Sequence, residues 1–104
     1  MRFRDGKLKI ETFKMTQHIT IIVSGKVQGV FYRAATKEKA DELGVKGFVR
    51  NELNGNVYVE AEASQEVLNE FVKWCASGPQ RAQVQHIEVA PEELKNFMDF
   101  SIAR

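Results

Sequence analysis

One stretch connects an alternating apolar segment to a segment with helical periodicity: Gly25-Lys26-Val27-Gln28-Gly29-Val30-Phe31-Tyr32-Arg33. Its backbone N–H groups therefore fall at the start of a helix. The first-turn donors of a helix are unpaired, and the helix dipole favours an anion there. Arg33 adds a planar, permanently charged guanidinium that suits phosphate oxygens. We name residues 25–33 the phosphate loop, since the pattern predicts a binding site for a phosphate group.

The composition sets the class of protein. The chain has 104 residues, of which 43% are hydrophobic, and this suffices for one domain with a real core. A formal net charge of +1 gives no broad basic surface, so we expect no nucleic-acid partner. The single cysteine, Cys75, cannot form an internal disulfide and fits a reducing compartment. No apolar run is long enough to cross a bilayer, and we therefore expect a cytoplasmic protein that does not bind a membrane.

Strand and helix patterns flank the phosphate loop. Residues 18–24 alternate between apolar and polar side chains, which predicts a strand with one buried face. After the loop, one side of a predicted helix carries Tyr32, Thr36, Ala40 and Leu43. Gly44 is placed to end this helix in a left-handed conformation.

The rest of the chain predicts a second helix and four more strands. The strands span 45–52, 56–63, 82–89 and 98–102. Leu53-Asn54-Gly55 is a hairpin signal, because Asn and Gly both tolerate positive φ. Ser64 caps the second helix, and Gly78-Pro79 ends it. The alternation slips within 82–89, which indicates a β-bulge, and residues 91–96 form a connector with one helical turn as an option.

The order of these elements predicts an α+β fold. Strand, helix, strand, strand, helix, strand is the ferredoxin-like α/β sandwich pattern (βαββαβ), in which two helices cover one face of an antiparallel sheet. The last predicted strand is an addition at the C-terminus. Right-handed crossovers place the first strand in the middle of the sheet, beside the third. The phosphate loop then opens at the end of a central strand.

The motifs resemble the acylphosphatase family. That family's loop reads G-x-V-Q-G-V-x-F-R, and residues 25–33 read GKVQGVFYR. Its second pattern, G-[WF]-V-R-N, is matched by Gly47-Phe48-Val49-Arg50-Asn51. The resemblance covers residues 16–104 and implies one acylphosphatase-like domain there. Residues 1–15 are interpreted as an N-terminal extension, either disordered or an edge strand.

The resemblance implies hydrolysis of acyl phosphates to a carboxylate and inorganic phosphate. By this resemblance, Arg33 and Asn51 are the catalytic residues. The Arg33 side chain stabilises the negative charge of the transition state, and Asn51 positions the attacking water. The phosphate is held by the backbone N–H groups of Gln28, Gly29, Val30, Phe31, Tyr32 and Arg33. No metal, cofactor or side-chain general base is implied, and we expect a monomer.

Two residues depart from the family pattern. Tyr32 replaces the usual phenylalanine before the arginine, and Phe31 fills a position that is more often small. A tyrosine ring can still pack under the loop if its hydroxyl finds a partner. Phe31 is expected to narrow or reshape the mouth of the site.

Other residues have simpler interpretations. His18 and His86 are too isolated for a metal site or acid–base work, so they are interpreted as structural or solvent-facing. Cys75 is expected to be a small core residue on the second helix. Arg50 is interpreted as a surface residue of its strand rather than a phosphate ligand.

Two alternative functions remain open from the sequence. Ferredoxin-like sheets also serve as phosphate- or RNA-binding modules, and Lys46-Gly47-Phe48-Val49 superficially resembles part of an RNA-recognition strand. The alternating aromatic residues that would stack bases are missing, however. A domain of a larger enzyme that handles carbamoyl phosphate is the other alternative; the end of the chain at Arg104 favours a free-standing protein.

Overall fold

The computed structural model describes residues 15–104, which form five strands and two helices. The elements are β1 (Thr16–Lys26), α1 (Tyr32–Leu43), β2 (Lys46–Asn51), β3 (Val57–Ser64), α2 (Gln65–Ser77), β4 (Gln83–Glu92) and β5 (Phe100–Ile102). This order confirms the predicted βαββαβ pattern with one additional strand. The interpretation of residues 1–15 as an extension falls almost wholly outside the described residues and stays a prediction.

The strands form one sheet in the order β4-β1-β3-β2-β5. β1 is antiparallel to both β3 and β4, as predicted for a central strand, and β2 is antiparallel to β3. β5 runs parallel to β2, so the additional strand makes the sheet mixed. The fold is therefore the ferredoxin-like α+β sandwich, extended by one parallel edge strand.

The hydrophobic core lies between one face of the sheet and the two helices. Alternate residues of the central strands are fully buried there, including Ile21, Val23, Val57 and Val59. The helices contribute Tyr32, Ala40, Leu68 and Phe71, as well as Cys75, which confirms that the thiol belongs to the core. Among residues 15–104, no helix combines the length and apolar character needed to cross a bilayer.

The helix ends follow the predicted capping signals. Gly44 ends α1 at φ 79°, in the left-handed region that glycine tolerates. The Ser64 side chain accepts a hydrogen bond from the N–H of Val67 and so caps α2. Gly78 follows the last turn of α2 and donates its N–H to the carbonyl of Trp74.

A β-bulge interrupts the pairing of β1 with β4, as the slipped alternation indicated. Ser24 pairs with His86, whereas the next residue, Gly25, pairs with Val84, so that Gln85 is the extra residue. A Cβ atom on Gly25 would lie 2.3 Å from the carbonyl oxygen of Gln83. Only glycine therefore lets the two strands approach where the phosphate loop begins.

The connector after β4 differs from the sequence-based expectation. Pro91 and Glu92 extend β4 beyond residue 89, and residues 93–97 contain no helical turn, so that option is wrong. β5 begins only at Phe100, which leaves Met98 outside the strand. We name residues 93–99 the strap. Hydrogen bonds from the strap backbone to the sheet replace those that a helical turn would have made.

The strap covers a buried polar cluster on the sheet face away from the helices. His18, Glu60 and Glu62 lie there, each less than 7% exposed. His18 Nδ1 is 2.7 Å from a Glu62 carboxylate oxygen and hydrogen-bonded to it. His18 Nε2 lies 2.9 Å from Glu60, an ion-pair distance without hydrogen-bond geometry. The Phe97 ring of the strap packs over His18, with 5.7 Å between the ring centroids.

Glu62 binds the strap through its backbone. Its carboxylate accepts N–H hydrogen bonds from Lys95 at 2.6 Å, Asn96 at 3.2 Å and Phe97 at 2.9 Å. Burial acts to raise the pKa of Glu62, but these bonds and the one from His18 outweigh it and hold the pKa below its ordinary value of 4.5. The pKa of Glu60 is lowered in the same way. Burial acts to raise this pKa, but hydrogen bonds from Tyr58 and Lys95 together have the larger opposite effect. Both groups are therefore ionised near neutral pH.

Replacing Glu62 should loosen the strap and make stability depend less on pH. Glu62→Gln keeps the shape but loses the charge, and we expect a loss of about 3 kcal/mol of unfolding free energy at neutral pH. Because the folded pKa is depressed, ionised Glu62 stabilises the protein above its unfolded pKa, and this stability is lost as pH falls through the folded pKa. The difference between wild type and variant should therefore shrink from about pH 5 to about pH 3. Urea denaturation followed by Trp74 fluorescence measures it.

Glu70→Gln on α2 is the matched control, because Glu70 is exposed. It should change stability by less than about 0.5 kcal/mol at either pH. A Glu62→Gln variant as stable as the control would show that the strap is not held by this carboxylate.

Candidate active site

Three strand ends meet at one edge of the sheet. β1 and β2 each run antiparallel to β3, and β5 runs parallel to β2, so β1, β2 and β5 all point the same way. Val57 is the cross-strand partner of both Val23 and Asn51, which places these residues in one row across three strands. The phosphate loop after β1, Asn51 at the end of β2 and Ile102 at the end of β5 therefore converge.

A cavity of about 510 Å³ opens at this edge. Its lining consists of Val27, Gly29, Phe31, Tyr32, Arg33, Ala34, Asn51, Ile102 and Arg104. The structure thus brings both predicted catalytic residues, Arg33 and Asn51, into one cavity with the phosphate loop. Two of the predicted phosphate-binding residues, Gln28 and Val30, are not part of the lining. Ile102 and Arg104 are, and sequence reasoning missed them because their placement depends on the parallel pairing of β5.

The backbone of the phosphate loop is shaped for an anion. Gly29 has φ 73° and Phe31 has φ 64°, and such left-handed residues within a tight loop are typical of backbone segments that bind anions. A Cβ on Gly29 would meet no heavy atom within 4 Å, so glycine serves the backbone conformation there. Phe31 is the N-cap of α1 but provides no side-chain hydrogen bond, and the first turn carries no acidic residue. The positive end of the helix is left open to a ligand.

Arg33 is the cation that lies both in the phosphate loop and in the cavity lining, which also contains Arg104. The Arg33 side chain lines the cavity and is partly exposed, and it has no ion-pair partner within residues 15–104. Arg50 differs: its Nε donates to Glu52 at 2.6 Å, and its guanidinium lies 4.5 Å from the centre of the Tyr58 ring. The interpretation of Arg50 as a strand residue rather than a phosphate ligand agrees with this geometry.

Asn51 has an unused hydrogen-bond acceptor. Its Oδ1 atom is buried, yet no group of the described residues donates to it. A buried carbonyl oxygen without a donor is costly, by about 1–3 kcal/mol, unless a water or ligand supplies one. The atom belongs to a side chain that lines the cavity. The Asn51 amide therefore lies in the wall of the cavity, with an acceptor that no described group uses.

The Gln28 side chain points to the β2–β3 hairpin. Its Nε2 donates to the carbonyl oxygens of Glu52 and Asn56, both at 2.8 Å. The sequence predicted only a backbone contact from Gln28 to phosphate, so this side-chain bridge was missed. The sequence feature that could have indicated this bridge is an amide side chain placed between the glycines of the loop.

Tyr32 is buried and its hydroxyl has a partner, which is the condition that the sequence analysis set for packing under the loop. The side chain is 2% exposed, and its hydroxyl donates to the carbonyl of Cys75 at 2.5 Å. Burial, with smaller contributions from Cys75, raises the pKa of this hydroxyl far above its ordinary value, so it stays protonated and keeps donating. Phe31, in contrast, is 73% exposed at the mouth of the cavity.

A glycine-containing loop at a helix start, with a guanidinium and an amide that have no ion-pair or donor partner within residues 15–104, is the arrangement expected of small ferredoxin-like enzymes that hydrolyse phosphorylated compounds. A family model described as acylphosphatase matches residues 19–102. The chain belongs to the acylphosphatase family. It is a hydrolase of acyl phosphates.

Relatives and solved structures agree with this assignment. The chain is 41% identical to an acylphosphatase of Rubrobacter xylanophilus, over 88% of this chain and 83% of that protein. It is 48% identical to an acylphosphatase of Marinobacter nauticus, over 78% of this chain and 86% of that one. The crystal structure of acylphosphatase from Bacillus subtilis superposes with a TM-score of 0.82 at 34% identity, covering 86% of this chain and all of that one. The fold and the family are thus confirmed together.

The left-handed backbone at Phe31 should be measurable as strain. Phe31→Gly and Phe31→Ala both remove the exposed ring, but only glycine adopts φ 64° without a steric penalty. We expect the glycine variant to be more stable than the alanine variant by about 1 kcal/mol. Chemical denaturation of both variants gives the difference.

Ala76→Gly in α2 serves as the control of opposite sign. Ala76 is exposed within a helix, where glycine should lower stability by about 0.5–1 kcal/mol relative to alanine. Equal stabilities of the two Phe31 variants would contradict the left-handed conformation.

Proposed function

We propose that the phosphate loop, Arg33 and Asn51 carry out the hydrolysis of the carboxyl-phosphate bond in the cavity. One observation supports this most directly. Within residues 15–104, the Asn51 Oδ1 atom has no donor and the Arg33 guanidinium has no ion-pair partner, and both residues line the same cavity as the loop. A phosphate and a water molecule would satisfy both groups at once.

The phosphate loop and Arg33 bind the transferred group. The backbone N–H groups of residues 28–33 donate to the phosphate oxygens, and the Arg33 guanidinium pairs with two of them. The carboxylate of an acyl phosphate is a good leaving group, so catalysis consists mainly of positioning and charge stabilisation. Arg33 stabilises the charge that builds up on the oxygens in the transition state.

Asn51 positions the nucleophile. Its Oδ1 accepts a hydrogen bond from the water and turns the water's lone pair toward phosphorus. Among the described residues that line the cavity, no side chain carries a carboxylate or an imidazole that could serve as a general base. The bound phosphate itself takes the proton from the water. Inorganic phosphate and the free carboxylate are then released.

The same lining supports catalysis without a metal or cofactor. Divalent metals prefer carboxylate, imidazole or thiolate ligands, and within residues 15–104 no group of three or more such side chains could hold one. We also propose that the enzyme is monomeric and cytoplasmic. The buried single thiol of Cys75 fits a reducing compartment.

Arg33→Ala should lower the turnover of benzoyl phosphate by about 1000-fold or more, because the main cationic ligand of the transition state is lost. Asn51→Ala should lower kcat by about 100-fold while inorganic phosphate still inhibits at wild-type concentrations. Steady-state kinetics with phosphate as a product inhibitor measure both effects.

Arg50→Ala is the matched control for Arg33. It removes a guanidinium of the neighbouring strand that is already paired with Glu52, and kcat should remain within about threefold of wild type. Wild-type turnover by Arg33→Ala or Asn51→Ala would reject the proposed roles.

Chelation should leave the activity unchanged. Turnover of benzoyl phosphate after dialysis against EDTA is expected to equal that of untreated enzyme, because the proposed chemistry uses only protein groups and substrate. A loss of activity that added divalent cation restores would overturn the metal-independent mechanism.

An RNA-binding module remains the alternative to be tested. Phe48 and Tyr58 lie together on the sheet face away from the helices, with 6.0 Å between ring centroids. However, Phe97 packs edge-on against Phe48, and Arg50 stacks over Tyr58, so the rings already have partners. Salt-sensitive binding of single-stranded RNA by a chain without turnover would favour this alternative.

A further inference from the structure

We propose that Gln28 is a positioning residue, whose side-chain amide sets the distance between Asn51 and the phosphate loop. The inference rests on the proposed role of Asn51 and extends it to a group that does not touch the substrate. Gln28 thereby has two separate tasks. Its backbone N–H is one of the proposed phosphate donors, and its side chain holds the segment that carries the proposed water-binding amide.

Both donors of the Gln28 amide are used on the hairpin. The Nε2 atom carries two hydrogens, and it lies 2.8 Å from the carbonyl oxygen of Glu52 and 2.8 Å from that of Asn56. The side chain is not part of the cavity lining. With its donors spent on two carbonyls, the amide is not available as a phosphate ligand.

The two acceptors close the hairpin directly beyond Asn51. The N–H of Glu52 donates to the carbonyl of Asn56 at 2.8 Å, which forms the last rung before the turn. Leu53 and Asn54 at the tip are exposed. Glu52 follows Asn51 in the chain, so the bridge from Gln28 ends one residue from the proposed water-binding side chain.

The bridge joins two segments that the sheet does not pair directly. β3 lies between β1 and β2, so the phosphate loop and Asn51 are separated by two strand spacings, roughly 10 Å. Sheets twist and hairpins bend, and either motion would change that separation. Near-attack geometry tolerates little error, since a shift of about 1 Å can cost about 100-fold in rate. The Gln28 side chain connects the phosphate loop directly to the hairpin and so restrains this separation.

Gln28→Met tests the role of these two hydrogen bonds, because a methionine side chain has a similar length but no hydrogen-bond donor. We expect kcat for benzoyl phosphate to fall by about 10- to 100-fold, while the inhibition constant of inorganic phosphate stays within about threefold of wild type. A purely structural defect of the loop would weaken phosphate binding as well. Gln80→Met, at an exposed position, is the matched control and should retain wild-type kinetics.

A double-mutant cycle asks whether Gln28 acts through Asn51. In the Asn51→Ala background, Gln28→Met should lower kcat by less than about threefold, because the Asn51 amide that Gln28 positions is already absent. Gln28→Lys is the second variant, since its ammonium can donate to the same two carbonyls. Gln28→Lys should keep a higher kcat than Gln28→Met. If the methionine variant does not fold, the kcat of Gln28→Lys is compared with that of wild type instead.

The outcomes separate this inference from the proposed function. Wild-type kcat in Gln28→Met, a parallel loss of phosphate affinity, or no advantage of Gln28→Lys would overturn the positioning role. Losses that multiply in the double variant would do the same, while an impaired Asn51→Ala leaves the proposed function standing. Full activity of Asn51→Ala would overturn both.

Discussion

The antiparallel ladder of β3 is the constraint on which the site depends. β3 pairs with β1 on one side and β2 on the other, and Val57 faces both Val23 and Asn51. Because β1 and β2 both run antiparallel to β3, their C-terminal ends lie at the same edge of the sheet. A slip of one residue in the β2–β3 ladder would turn the Asn51 side chain to the face away from the helices. Burial of Val57 and Val59 prevents that slip.

Charged groups are divided between two sides of the sheet. At the cavity, Arg33 lies in the first turn of α1 and has no ion-pair partner within residues 15–104, an arrangement that favours an anion. On the face away from the helices, Glu60 and Glu62 are buried with His18 and hold the strap. The strap leads directly into β5, whose pairing with β2 brings Ile102 to the cavity. The polar cluster therefore stabilises the edge of the site without entering it.

Local signals in the sequence were reliable where the chain interacts with itself over short distances. Gly44 and Ser64 end and begin helices as predicted, and the slipped alternation after residue 82 marked a real bulge. The helical turn proposed for 91–96 failed because a distant carboxylate, Glu62, takes the N–H groups of the strap. No pattern within the strap itself contains that information.

The sequence by itself determined the element order and the central strand, and it indicated the phosphate loop with Arg33 and Asn51 as candidate site residues, because periodicity, capping and a specific motif act locally. Tertiary structure alone decided the parallel edge strand and left the Asn51 Oδ1 atom without a donor among residues 15–104. It also decided the Gln28 bridge, whose partners lie 24 and 28 residues away in the chain. These features arise from strand register and side-chain direction, which join residues that have no relation in the local pattern.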